Sequence, residues 1–114
     1  MNEVRNMKQR QFDLETRVLV FARACRQFIK NQSPSIVGRE DGRQMVRSSG
    51  SIGANYLEAN EAISKKDFLH RLRIAKKEAR ETIYWLRLLD APDALIKEAS
   101  ELMHILGAVL AKSK

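Results

Sequence analysis

The chain has 114 residues, enough for one domain with one core. Hydrophobic residues make up 44% and charged residues 31%, which excludes a disordered chain, and five Gly with two Pro are too few for a fold of many tight β-turns. One Cys excludes an internal disulfide or a zinc site, and a formal net charge of +7 points to an acidic partner, RNA or DNA ahead of an anionic membrane.

The opening residues carry Arg5, Lys8 and Arg10 with no apolar stretch after them, so no signal peptide is expected. No apolar run approaches the roughly 18 residues of a membrane span. A cytoplasmic protein with no membrane partner is therefore expected. The first helix is predicted over 13–31. Leu14, Val18, Phe21, Cys25 and Phe28 step by four and three and form one helical face. Cys25 on that stripe reads as a small core residue. Pro34 within Asn31-Gln32-Ser33-Pro34-Ser35 ends the helix.

The second helix is predicted over 39–62. Its propensity is weak, because Gly42, Gly50 and Gly53 each cost about 1 kcal/mol against Ala. Ser48-Ser49-Gly50-Ser51 and Gly53-Ala54 read either as a loop or as the small face of a helix that a neighbour approaches closely. The helical reading is preferred, with Val46, Ile52, Tyr56, Leu57 and Ile63 available for packing. Arg47, Ser51, Asn55 and Glu58, with Ser48, offer an interhelical polar network, and a ligand site on that ridge is the lesser alternative.

Ser64-Lys65-Lys66-Asp67 has the pattern of a capping box and opens a third helix over 65–89. Phe68, Leu72, Ala75, Ala79, Thr82, Leu86 and Leu89 form a heptad seam. At about 100° per residue, with Leu72 at zero, the seam centres near −40°. Lys66, Arg73, Lys76, Lys77, Arg80 and Arg87 then fall between about +40° and +140°, with Tyr84 among them. Such a stripe can follow a phosphate backbone, and Tyr84 can stack on an unpaired base. The alternative is a solvated face ion-paired to neighbouring helices. A further face carries Ile74, Glu78, Glu81, Trp85 and Leu88, expected to meet another subunit unless the fourth helix or the amino-terminal segment covers it. Asp90-Ala91-Pro92-Asp93 stops this helix, and the fourth is predicted over 93–111 with Leu95, Leu102, Ile105, Leu106, Val109 and Leu110 apolar.

Catalytic and cofactor patterns are weak. Asp67-x-x-His70 and Glu101-x-x-His104 are reminiscent of di-iron ligands, but His70 and Asp67 lie opposite the seam, so no metal is expected. Phosphate-binding glycine loops and a serine or cysteine nucleophile with its base are absent from the sequence, so no cofactor and no enzyme activity are expected.

Arg47-Ser48-Ser49-Gly50-Ser51-Ile52-Gly53-Ala54-Asn55-Tyr56-Leu57-Glu58-Ala59 resembles the signature of the bacterial four-helix-bundle proteins encoded by intervening sequences of large-subunit ribosomal RNA genes. Ser64-Lys65-Lys66-Asp67-Phe68 and 71–86 continue the likeness, and Phe12-Asp13-Leu14-Glu15 extends it loosely. The stretch 37–42 departs from the family's more apolar pattern. The resemblance implies an antiparallel four-helix bundle assembled as a homopentamer, with no known enzyme activity. A distant likeness to the accessory protein of diversity-generating retroelements implies partnership with nucleic acid or a nucleic-acid enzyme. The expected fold is thus all-α, an antiparallel up-down-up-down four-helix bundle in a ring-like homo-oligomer. The expected function is phosphate-directed binding of RNA or another nucleic acid without catalysis. A protein-interaction scaffold or accessory subunit for a nucleic-acid enzyme is the alternative.

Overall fold

Two serines set where helices begin. The Ser35 hydroxyl accepts from the Gly38 N–H at 2.9 Å, and Ser64 accepts from the Asp67 N–H at 3.1 Å. Each satisfies a first-turn donor that the helix itself leaves unpaired. In the computed structural model, which describes residues 2–114, the chain forms four helices: α1 (Asn2–Lys30), α2 (Ile36–Asn60), α3 (Lys65–Leu88) and α4 (Asp93–Ser113). No strand occurs among the described residues. None of these helices is long and apolar enough to cross a membrane.

The boundaries differ from expectation at two starts. Helix α1 begins at Asn2, not near Asp13, since Lys, Gln and Arg sustain a helix over the exposed stretch 8–13. Residues 8–13 are all exposed, and Leu14 after them is buried. Helix α2 begins three residues earlier than expected, since the Ser35 cap follows directly on Pro34. The end of α3 is a reverse turn through Asp90, whose φ of 52° is left-handed. The Ala91 N–H donates to the Leu86 carbonyl at 3.0 Å and the Asp90 N–H to the Arg87 carbonyl at 3.1 Å, which closes the helix as a Schellman turn.

The core is built from the expected seams. Val18, Phe21 and Cys25 of α1, Leu72, Ala75, Ala79, Thr82 and Leu86 of α3, and Leu102 and Leu106 of α4 are buried. Helix α2 corrects the expectation in part: Ile52 and Tyr56 are buried and Val46 packs against the core, but Leu57 is 49% exposed and Ile63, beyond the helix end, is 98% exposed. Its buried stripe runs through Gly42, Met45, Ser49, Ile52, Tyr56 and Ala59, which steps by three and four but is half small residues. That stripe lets α1 come close. A Cβ at Gly53 would stand 3.1 Å from Val18 Cγ2, and one at Gly42 would stand 3.0 Å from Ile29 Cδ1. The helical reading of the glycine-rich segment therefore holds, with α1 as the close neighbour.

Packing is most extensive between α2 and α3, then between α3 and α4, and thinnest between α1 and α4. Along α1 and α2 the meeting residues are Glu15 with Asn60, Val18 with Gly53, and Arg26 with Val46. Along α2 and α3 they are Arg47 with Glu78 and Glu81, Ser48 with Thr82, and Asn55 with Arg71. In both pairings the numbers rise along one helix as they fall along the other.

Candidate nucleic-acid interface

Helix α3 carries most of the charge of the chain. It holds eight Lys and Arg against three Asp and Glu, a balance of +5 within a whole-chain +7. The helical period sorts these charges by face. Glu78 and Glu81 turn toward α2, where the Arg47 guanidinium takes both: Nη1 donates to Glu78 Oε2 at 3.1 Å, and Nη2 donates to Glu81 Oε1. The Glu78 side chain is only 9% exposed. Burial works to lower the Arg47 guanidinium, but the hydrogen bond to Glu81 and the two carboxylate charges outweigh it and raise the group above its ordinary value.

The expected cations face the other way. Lys66, Arg73, Lys76, Lys77, Arg80 and Arg87 are all exposed. Among the described residues the ion pairs within 4.0 Å involve Arg17, Arg47 and Arg71, and none involves these six. Two acids of α3 are thus neutralised inside the chain while its outer cations have no carboxylate partner there. Lys76 departs slightly from the stripe: its Cε and Nζ would lie 3.5 Å from a Cβ at Gly107, so its stem runs over α4.

Tyr84 stands in the middle of this surface, 58% exposed. Its ring meets Trp85 edge-on, with centroids 5.1 Å apart and planes at 72°. Trp85 is half-buried against the core and donates from Nε1 to Glu81 at 3.3 Å. A groove of about 1310 Å³ runs between α3 and α4 beside Tyr84. Lys77, Arg80 and Arg87 line one wall, and Lys97 and Ser100 the other. Ile83, Ile96 and Met103 supply its apolar surface, and Glu81 and Asp93 its acids. Lys97 and Ser100 were missed from the sequence. Each helix announced its own faces, but the register of α4 against α3 has no local signal.

The face expected to meet another subunit divides. Glu78 is buried and Glu81 half-buried, both under Arg47 of the same chain. Ile74 and Trp85 are half-buried, and Leu88 is 47% exposed. Over Glu78 and Glu81 the covering element is α2, through Arg47, and not α4 or the amino-terminal segment. Of these five, Leu88 alone is exposed.

The expected polar network is also partial. Arg47 joins α2 to α3, and Asn55 Oδ1 accepts from Arg71 at 3.4 Å while its Nδ2 donates to the Ser51 carbonyl at 2.9 Å. The Ser51 side chain and Glu58 make no interhelical hydrogen bond among the described residues, and Glu58 is exposed. The buried link is instead Thr82, whose hydroxyl lies 2.8 Å from the Ser48 hydroxyl and 2.7 Å from the Glu78 carbonyl. On the far side Arg17 joins α1 to α4. Its Nε and Nη2 contact Glu98 at 2.7 Å, and Nη2 also reaches Glu101 at 2.8 Å.

Nothing in the described residues assembles a reactive centre. Cys25 is fully buried, and burial pushes its thiol up to about 12 despite a hydrogen bond to Ser49, so the nucleophilic thiolate is scarce at neutral pH. His70 is exposed, and His104 Nδ1 lies 2.7 Å from the Ser100 carbonyl of its own helix. No group of three or more His, Cys, Asp and Glu gathers closely enough to hold a metal among the described residues.

Comparison with known proteins adds to this geometry. The sequence profile of the family described as 23S rRNA-intervening sequence protein matches residues 10–110. The chain is similar in structure, at a TM-score of 0.80 and 31% identity, to a protein of unknown function from the S23 ribosomal protein family of Bacteroides thetaiotaomicron VPI-5482. The similarity covers 89% of this chain and 97% of that one. No curated protein matches.

Proposed function

The chain belongs to the 23S rRNA-intervening sequence protein family, and from that premise we propose that it is a non-catalytic cytoplasmic protein that binds RNA through phosphate contacts along α3. The observation that carries this reading is the charge sorting of α3. Arg47 neutralises Glu78 and Glu81 on one side, and the exposed cations opposite lack a carboxylate within 4.0 Å among the described residues. A strand of phosphates fits such a row without reading bases, and each contact releases a counterion. We also read the bundle as antiparallel, up-down-up-down, on the strength of residue numbers that rise along one helix and fall along its neighbour. Assembly as a homopentamer, which the resemblance implies, would repeat the α3 surface and multiply weak contacts.

The test is binding of the purified protein to a structured RNA, with two triple variants of equal charge change. Arg73→Glu/Lys77→Glu/Arg80→Glu reverses the α3 surface, and Arg23→Glu/Lys30→Glu/Arg43→Glu reverses exposed cations of α1 and α2. The reading expects the first to abolish binding and the second to weaken it mildly. Equal loss in both would reduce the effect to overall charge.

A second reading has one observation in its favour. Val37 is 68% exposed and Leu88 47% exposed, and both border one cleft at the end of the bundle. Exposed apolar residues gathered in one place suit a protein partner such as a nucleic-acid enzyme. That reading expects a partner that is still recovered after nuclease treatment and is lost in Val37→Asp/Leu88→Asp.

A further inference from the structure

The α3 surface alone would accept a duplex or a single strand. The groove beside it discriminates between them. In a duplex the bases lie stacked inside and offer no ring face to a protein, so a protruding aromatic side chain gains nothing there. In a single strand each base has a free π-face, and aromatic groups between cations are the usual means of holding it.

We propose that the α3/α4 groove is a binding site for single-stranded nucleic acid, with one unpaired base stacked on Tyr84 and the flanking phosphates on Lys77 and Arg80 of one wall and Lys97 of the other. This rests on the phosphate-binding reading of α3 and narrows its ligand to an unpaired strand. Its geometry and its charge both support it. Tyr84 is 58% exposed at the groove, and its hydroxyl has no hydrogen-bond partner among the described residues. An aromatic side chain left in water and not tethered by its polar end is available to a ligand. Its ring is supported from the side by Trp85, 5.1 Å away and edge-on, and Trp85 rests against the core. Support from a half-buried neighbour limits the entropy lost when a base arrives.

Charge fits the same occupant. Lys77, Arg80, Arg87 and Lys97 border the groove against Glu81 and Asp93. Glu81 is already engaged by Arg47, and Asp93 sits in the first turn of α4, where the helix dipole partly offsets a negative charge. Cations therefore dominate the α3 wall, and on the α4 wall Lys97 balances Asp93. The apolar side chain of Met103 gives the edge of a base a surface to rest on instead of water. The groove volume, about 1310 Å³, leaves room for more than one nucleotide.

The experiment uses a 12-nucleotide single strand and the same sequence as a blunt duplex, in RNA and DNA forms, titrated at low salt into the intact protein and into Tyr84→Leu, Tyr84→Phe and Lys97→Glu. The single strand is expected to bind about 10-fold or more tighter than the duplex. Tyr84→Leu is expected to lose about 10-fold on the single strand and nothing on the duplex, while Tyr84→Phe retains affinity. Lys97→Glu is expected to weaken the single strand as well, because it reverses the α4 wall. The sole Trp of the chain is Trp85, so its emission should change with the single strand and stay unchanged with the duplex. Salt-sensitive binding that ignores strandedness and is unchanged in Tyr84→Leu would overturn the groove while leaving the α3 surface intact. No binding of either form by the intact protein would overturn both.

Discussion

Arg47 offers the sharpest test of how the bundle is charged. Its side chain is 48% exposed, while that of its partner Glu78 is 9% exposed. Arg47→Met keeps the apolar stem and removes the guanidinium, which leaves the Glu78 carboxylate nearly out of water with no other cation within 4.0 Å among the described residues. Breaking a fully buried pair costs about 3–5 kcal/mol, and breaking an exposed one about 0–1 kcal/mol. The half-exposed guanidinium places this pair between them, at about 2 kcal/mol. For a chain of this length that is a fall in melting temperature of about 8 °C. Adding Glu78→Gln should return about half of the loss, because a neutral amide is cheaper to bury than an unpaired carboxylate. The assay is thermal and urea unfolding across a tenfold range of protein concentration. The loss should not vary with concentration, since Arg47 and both acids belong to one chain. A loss below about 0.5 kcal/mol, the ordinary range of surface substitutions, would refute the argument. So would a loss confined to high concentration, which would return Glu78 and Glu81 to a subunit interface.

Three other perturbations have definite signs. Gly107→Ala should stabilise α4 by about 0.5–1 kcal/mol in chemical denaturation, because the new Cβ meets the Lys76 stem at an ordinary 3.5 Å. Asp90→Gly should stabilise by up to about 1 kcal/mol by relieving the left-handed conformation at φ 52°, and unchanged stability would show that the aspartate is not strained there. The hydrogen bond from Arg17 holds the Glu98 carboxyl below its ordinary value of 4.5, against the opposing effect of burial. A lowered folded value stabilises the protein above the unfolded value and is lost as pH falls through the folded one. Stability should therefore decline below about pH 4.5 and less steeply in Glu98→Gln, measured by melting temperature against pH.

The sequence was most legible where burial and period coincide. The seam of α3 is an unbroken run of threes and fours, so its core positions and its outward cations followed together. Helix α2 was legible in part: the small face around Ser49 and Gly53 marked a close approach, but Gly42 and Ala59 are buried as well and carry no large apolar signal. Leu57 and Ile63 were drawn inward as large apolar residues, and both are exposed. The start of α1 was missed because the exposed residues 8–13 ahead of Leu14 leave no periodic apolar mark. Links between helices were the least legible. Asn55 with Arg71 could be anticipated from the short turn at Ser64, but Arg47 with Glu78 and Ser48 with Thr82 depend on helix rotation and depth, set by the whole core. Lys97 joins the groove for the same reason: its place there depends on the rotation of α4 against α3.

The central claim is that the outward cations of α3 bind phosphates. The most direct measurement is the dependence of single-stranded RNA affinity on salt, for the intact protein and for Arg73→Glu/Lys77→Glu/Arg80→Glu. Engagement of four or more phosphates gives a log–log slope of about −3 or steeper, since each contributes about −0.7 on a single strand. The account predicts that slope for the intact protein and a much shallower one for the variant. A flat dependence, or the same slope in both proteins, would contradict it.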